Sequence, residues 1–161
     1  LLQRLDLRGG VMLDQTIMVV DEVSGDEPAL AAALSAADLP VDDLTAPGRR
    51  FFRFWIPGGE PIGFIGAEDC GEGGVLLRSL VVLPGQRRRG WSPAMVGWLL
   101  EKLAAAGIAE AWLLTISAVP LAERLGFQPV SRDSAPAAMR ATPQFTSLCP
   151  ASAALMHRSI P

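Results

Sequence analysis

The sequence predicts an α/β (α+β) domain whose sheet is partly antiparallel. Three observations carry that expectation. Arg50 to Ile56 (RRFFRFWI) and Pro61 to Ala67 (PIGFIGA) are apolar runs divided by Pro57-Gly58-Gly59-Glu60, turn chemistry that makes the pair a hairpin. Val75 to Leu83 (VLLRSLVVL) is almost wholly apolar and suits a central strand buried on both faces. A strong helical pattern then separates that strand from another at Ala111 to Thr115 (AWLLT).

The remaining elements follow in order. Gln15 to Val20 (QTIMVV) reads as the first strand. Asp26, Glu27 and Pro28 open a helix where acids and Pro suit a first turn. Leu30, Leu34 and Ala37 give it an apolar stripe, and Leu39-Pro40 ends it. Asp69 to Gly74 is a turn between the hairpin and the central strand. In the long helix Ser92 is the expected N-cap and Pro93 the first helical residue. Met95, Val96, Leu99, Leu100 and Leu103 line one face of it, and Gly107 stops it. Pro120 to Leu125 is a short helix closed by Gly126, with Phe127 placed to pack back over its last turn. Gln128 to Val130 starts another strand. Arg132 to Pro150 is irregular, with a helical turn about Ala137 to Ala141, and Ala153 to Ile160 (AALMHRSI) is the last strand. There are no repeats or low-complexity segments.

Bulk properties narrow the function classes. At 161 residues the chain is long enough for one domain with a real core. No Met opens it, so Met12 is a candidate start; residues 1–14 read as an N-terminal extension and 15–161 as a single domain. Half of the residues are apolar, yet no run reaches membrane-spanning length. The opening LLQRLDLRGGVMLDQ lacks the continuous apolar block of a signal peptide. A formal charge of −3 argues against general nucleic-acid binding. Two cysteines are too few for a disulfide framework and point to a reducing, cytoplasmic setting. One His and no CxxC leave no support for a metal site.

The chemistry concentrates at residues 81–96, VVLPGQRRRGWSPAMV. A strand, a tight turn and a helix N-terminus make an anion site, because the first helical N–H groups have no intrahelical partner and carry the positive end of the dipole. Gly90 lets backbone approach a phosphate closely, and the arginines add charge-assisted hydrogen bonds. Pro93 removes one donor. The competing explanation is a capped surface helix beside a solvated basic turn.

The same residues carry a resemblance. LVVLPGQRRRGWSPAMV resembles the acetyl-CoA motif of the GNAT superfamily of N-acetyltransferases, Gln/Arg-x-x-Gly-x-Gly/Ala after a strand and a Pro; here it is Arg87-Arg88-Arg89-Gly90-Trp91-Ser92. LLTISAVPLAERLGFQPV is similar to that family's second segment. MRATPQFTSLCPASAALM, with RRFFRF and LLRSLVVLP, resembles a branch encoded in arsenic-resistance gene clusters. The resemblance covers about residues 15 to 160. It implies a mixed, mostly antiparallel sheet, flanked by helices, with a V-shaped split between two central parallel strands. Acetyl-CoA would lie there as cosubstrate, its pyrophosphate at Arg87, Arg88, Arg89, Gly90, Trp91 and Ser92. Its pantetheine arm would pair with backbone at Leu80, Val81 and Val82, where a bulge points an N–H at the acetyl oxygen. The chain departs from the family in several places. It has no Tyr; the family's Asn and Tyr positions fall on Thr115 and Ala122, and a Glu frequent in the fourth strand falls on Leu76. Many relatives have Gly where this chain has Arg88 and Ser92.

The implied activity is N-acetyl transfer from acetyl-CoA to a small-molecule amine by direct transfer. The acceptor would be an amino acid or an amino-acid-like arsenical or phosphinic compound. The alternative is a non-catalytic module of the same fold that binds CoA or an arsenical. Neither nucleic acid nor membrane is an expected partner, and the Trp content permits a homodimer. An acceptor amine must be neutral to attack; at pKa about 7.7–8.0 this costs roughly 1 kcal/mol at pH 7. Acid–base help is worth roughly 10²–10⁴ in rate, so positioning can carry a reaction without the usual Tyr. Ser117, Thr115 and Cys149 are the candidate proton donors to the departing sulfur. Arg78, inside an apolar strand, needs an anion partner. It reads equally as a clamp on the acceptor's oxyanion or as a structural ion pair with an acid such as Asp69. His157 lies on the last strand and reads as packing.

Overall fold

Alternation along the aromatic strand sets the layers. In β3 (Arg49–Trp55), Phe51 faces one side of the sheet while Phe52 and Phe54 face the other, and all three are buried. The computed structural model describes residues 2–13, 15–148 and 152–161, without the side chains of 147 and 148. The other strands are β1 (Val11–Leu13), β2 (Thr16–Val23), β4 (Pro61–Asp69), β5 (Gly74–Val82), β6 (Glu110–Thr115), β7 (Gln128–Val130) and β8 (Ala154–Ser159). They form one sheet in the order β1-β2-β3-β4-β5-β6-β8-β7. Every neighbouring pair is antiparallel except β5 and β6, which are parallel.

The helices are α1 (Pro28–Ala36), α2 (Trp91–Ala105), α3 (Val119–Arg124) and the short α4 (Ala137–Arg140). Leu30 and Leu34 of α1 pack on Val23, Phe51, Phe64 and Val81. Met95, Trp98, Leu99 and Leu103 of α2 pack on Phe52, Phe54, Ile62 and Ile65 on the other face. Trp98 meets Phe52 and Phe54 edge-on, with centroids 5.5 and 5.3 Å away. Beyond β6, Cys70, Leu76, Trp112, Met139 and Leu155 make a smaller cluster. Buried aromatics on both faces explain why the hairpin is so apolar. No described helix is long and apolar enough to cross a membrane.

One expectation changes. Ser92 does not cap α2. The helix starts at Trp91 with Gly90 as N-cap in the left-handed region, and no side chain caps it. Burial of the Trp91 indole in the main core draws the first turn forward. Pro93 becomes the third helical residue, still within the turn whose amides have no intrahelical acceptor. Within the stretch read as an extension, β1 pairs with β2, and Leu2 and Leu5 are buried in the main core.

Candidate functional site

The sheet opens where its one parallel pair ends. β5 and β6 are paired from Gly74↔Glu110 to Leu77↔Leu113, and no pairing follows. On the other edge of β5, Gly66 faces Arg78 but Phe64 faces Val81, so Ser79 and Leu80 stand opposite Ile65 alone. This is a β-bulge, and Ser79 takes the left-handed conformation at φ 57°. The extra residue also swaps faces. Before it Leu77 points to the α2 side; after it Leu80 and Val82 do, while Val81 joins the α1 cluster. A cavity of about 200 Å³ lies in the split. Leu77, Leu80, Leu113 and Leu121 form its apolar walls, and Ser79, Thr115 and Ser117 are its neutral polar groups.

The turn after β5 supplies the second part. Arg88 and Gly90 both take left-handed backbone, at φ 65° and 78°. Among the described residues, the amides of Arg87, Arg88, Arg89, Gly90, Trp91 and Ser92 have no hydrogen-bond acceptor. All of these residues but Arg89 border a hollow of about 360 Å³, which Val82 also lines and which Leu121 and Arg124 of α3 close. Arg87 donates through Nε to the Val82 carbonyl at 3.0 Å, which ties the turn to the strand and leaves its terminal nitrogens unengaged. Arg89 does not line the hollow; it donates to Gln86 at 3.3 Å. Arg124 was invisible to local pattern, because only the packing of α3 beside the turn brings it there.

Arg78 lines the split, but its guanidinium is occupied. Nη1 donates to Asp43 Oδ2 and to Glu68 Oε1, both at 2.7 Å, and Nη2 donates to Asp43 Oδ1 at 2.6 Å. Nε donates to Ser79 Oγ at 3.2 Å. Arg49 completes a buried quartet, 3.1 Å from Asp43 and 3.3 Å from Glu68. The Arg78 side chain is 1% exposed. So the ion-pair reading holds over the clamp, with different acids. Asp69 sits one residue past Glu68, on the opposite face of the strand, and caps the Gly71 amide at 2.9 Å instead. Burial pushes the Asp43 carboxyl up, but hydrogen bonds and charge from Arg78 and Arg49 outweigh it and hold it below its usual value. Burial alone would lower the Arg78 pKa, and Asp43 and Glu68 raise it instead.

The remaining candidates divide clearly. Thr115 and Ser117 both line the split. Thr115 Oγ1 accepts from the Ala118 amide at 2.9 Å, so its own hydroxyl proton stays free to be donated. Cys149 lies outside the described residues. Cys70 is buried, and burial with the nearby acids pushes its thiol up to about 12, so it is no nucleophile at neutral pH. His157 bonds Glu110 and packs at a tilt of 48° against Trp112 with centroids 4.4 Å apart, away from the split. Leu76 is buried in the third cluster, and Ala122 forms part of the cavity wall.

The geometry can be set beside known proteins. No curated protein sequence matches the chain. Among solved structures, a Mycobacterium tuberculosis protein in complex with CoA and NLQ superposes with a TM-score of 0.72 at 18% identity, over 89% of this chain and 99% of that one. A GNAT-family acetyltransferase from Staphylococcus aureus Mu50 gives 0.63 at 14%, over 89% and 100%. N-acetylglutamate synthase from Neisseria gonorrhoeae, complexed with coenzyme A and N-acetyl-glutamate, gives 0.68 at 17%, over 88% of this chain and 35% of that one. These likenesses establish the fold. The family model described as Acetyltransferase (GNAT) family matches residues 19–127, from the second strand through α3 and Phe127, and so includes the split, the bulge and the basic turn. The chain belongs to the acetyltransferase (GNAT) family and is by that membership an acyltransferase with acetyl-CoA as cosubstrate.

Proposed function

We propose that this chain moves an acetyl group from acetyl-CoA to the amine of a small amino-acid-like acceptor by direct transfer. The observation that carries the reading is the adjacency of two features, which share Leu121 in their walls. A split beside a strained bulge opens next to a turn whose amides are free and whose rim carries Arg87, Arg88 and Arg124. Backbone donors with adjacent guanidiniums suit a diphosphate, and an apolar slot between diverging strands suits a flexible thioester arm. Acetyl-CoA supplies an activated acyl group. The chain's residues do the rest: the turn binds, the Leu80–Val82 backbone orients, and the leucines of the split exclude water.

Thr115 is the best-placed proton donor toward the departing sulfur, since it lines the cavity and its oxygen is already oriented by the Ala118 amide. An amine that enters neutral sheds a proton as the amide forms; relayed through the Thr115 hydroxyl, that proton reaches the departing thiolate, so the chain need supply no charged base. The N-acetylglutamate synthase likeness supports an amino-acid acceptor. The sequence likeness to an arsenic-cluster branch favours amino-acid-like arsenicals or phosphinic analogues, in a cytoplasmic resistance role. A thiol-release assay over amino acids, an amino-acid-like organoarsenical and a phosphinic analogue tests this, alongside calorimetric titration of acetyl-CoA. Transfer to at least one such amine is expected. Tight acetyl-CoA binding with no thiol release from any amine would make the chain a binding module instead.

A further inference from the structure

The quartet of Arg49, Asp43, Glu68 and Arg78 is more than a core requires. Apolar residues of similar volume commonly stabilise a core as well as a buried ion pair does. What charges add is direction: a guanidinium fork bonds carboxylates only within a narrow range of geometry. Here the fork at Arg78 joins three separate pieces of backbone. Glu68 comes from the end of β4, Asp43 from the connection between α1 and β3, and Arg78 from the residue preceding the bulge. The same α1–β3 connection brings Leu39 to the wall of the split. Through Nε, Arg78 also bonds the hydroxyl of Ser79, the residue held at positive φ.

The surroundings are shaped to admit this arrangement. Gly66 lies across from Arg78, and a Cβ there would come within 3.3 Å of Arg78 Cγ and 2.8 Å of the Phe51 ring. Gly25 leaves room for the backbone of Leu44, next to Asp43; a Cβ would fall 2.0 Å from the Leu44 carbonyl oxygen. Two glycines therefore seat the two ends of one hydrogen-bonded unit. The unit's charges cancel, so its effect on the split is geometric.

We infer that Arg49, Asp43, Glu68 and Arg78 act as a positioning unit for acyl transfer, holding the Ser79–Leu80 bulge and the Leu39 wall in register across the split. This rests on the acetyltransferase reading above. None of the four touches the reacting atoms; they act through the backbone of β5. A purely structural quartet would lower the melting temperature of its variants and leave the folded enzyme's kcat intact. A positioning unit changes kcat in the folded protein. Its effect on acetyl-CoA recognition is smaller, because the basic turn that takes the diphosphate end lies beyond the bulge.

The test uses Asp43→Asn, Arg78→Lys and Ser79→Gly in the full chain, assayed well below each variant's melting temperature. Arg78→Lys keeps the charge and loses the fork; Ser79→Gly keeps the left-handed backbone and loses the hydroxyl. Asp43→Asn and Arg78→Lys should lower kcat roughly 10- to 100-fold, as an ångström-scale misplacement does, with KM for acetyl-CoA within about threefold of wild type. Ser79→Gly should show a smaller loss of the same kind. Independently of activity, amide hydrogen exchange in the ligand-free chain should quicken at 79–82 in Asp43→Asn and stay unchanged across β2 and β8. If Arg78→Lys does not fold, the other two variants decide. Folded variants with wild-type kcat overturn the proposal. If the wild-type chain transfers to no amine, the acetyltransferase reading fails on its own account and the exchange experiment decides alone: unchanged exchange at 79–82 then overturns the positioning unit.

Discussion

Two groups of arginine lie within a dozen residues of each other along the chain and answer to opposite physics. Arg78 is sealed in the sheet, with every nitrogen bonded to protein. Arg87, Arg88 and Arg89 stand on the surface beside amides with no protein partner. A buried guanidinium cannot wait for a ligand, because desolvation without a partner costs several kcal/mol. An exposed one can, since water satisfies it until an anion arrives. The contrast teaches that position in the sheet, and not residue type, separates a guanidinium committed to the scaffold from one left open to an anion.

The sharpest way to break this comparison is to remove one charge from each group. Arg78→Met leaves Asp43 and Glu68 sharing only Arg49, and should cost about 3–5 kcal/mol in urea unfolding. Arg89→Met, whose side chain reaches only Gln86, should stay within about 0.5 kcal/mol of wild type. Equal losses in the two variants would erase the distinction.

A second substitution sharpens the binding side. Gly90→Val places a β-branched residue at φ 78°, where an L side chain pays roughly 1–2 kcal/mol, and puts bulk at the mouth of the hollow. Acetyl-CoA affinity measured by calorimetry should fall more than tenfold, beyond what the loss of stability explains. Smaller still, Arg87→Ala or Arg124→Ala should each weaken acetyl-CoA by about tenfold, in line with the roughly 1.5–3 kcal/mol of a charge-assisted hydrogen bond partly offset by solvent exposure. Raising ionic strength should mimic these two variants and leave the buried quartet unaffected.

The smallest effect concerns acid. The folded-state pKa of Asp43 is depressed, so its contribution to stability is fully present above the unfolded carboxylate value near 3.9. It is lost as pH falls through the lower folded value. Unfolding midpoints followed from about pH 5 downward should therefore drop, and Asp43→Asn should flatten that acid limb. A variant with the same acid slope as wild type would show that other carboxylates set it.

Periodicity and turn chemistry made most elements readable. An aromatic-rich apolar run marked β3, Pro-Gly-Gly marked the hairpin, and the stripe from Met95 to Leu103 marked α2, each found within a few residues of its predicted limits. The bulge was not readable from the residues themselves. VLLRSLVVL is apolar on both faces, so an inserted residue leaves no break in its pattern. The cap of α2 was misplaced for a related reason: Ser92-Pro93 is a good local start, but burial of Trp91 in the core outweighs it. The basic turn was legible because its signals are consecutive. Arg124 and Asp43 were not, since Arg124 stands more than 30 residues from the basic turn and Asp43 stands 35 residues from Arg78.

By itself, then, the sequence determined which segments become most of the strands and helices, and where an exposed basic turn stands, because those depend on side-chain period and on neighbours within one or two turns. Only the tertiary structure decided that β5 parts from β6 after Leu77, that Ser79 takes strained backbone, and that Arg78 is spent on Asp43 and Glu68. Those outcomes depend on which distant groups arrive within hydrogen-bond distance, and the order of residues along a chain does not encode that locally.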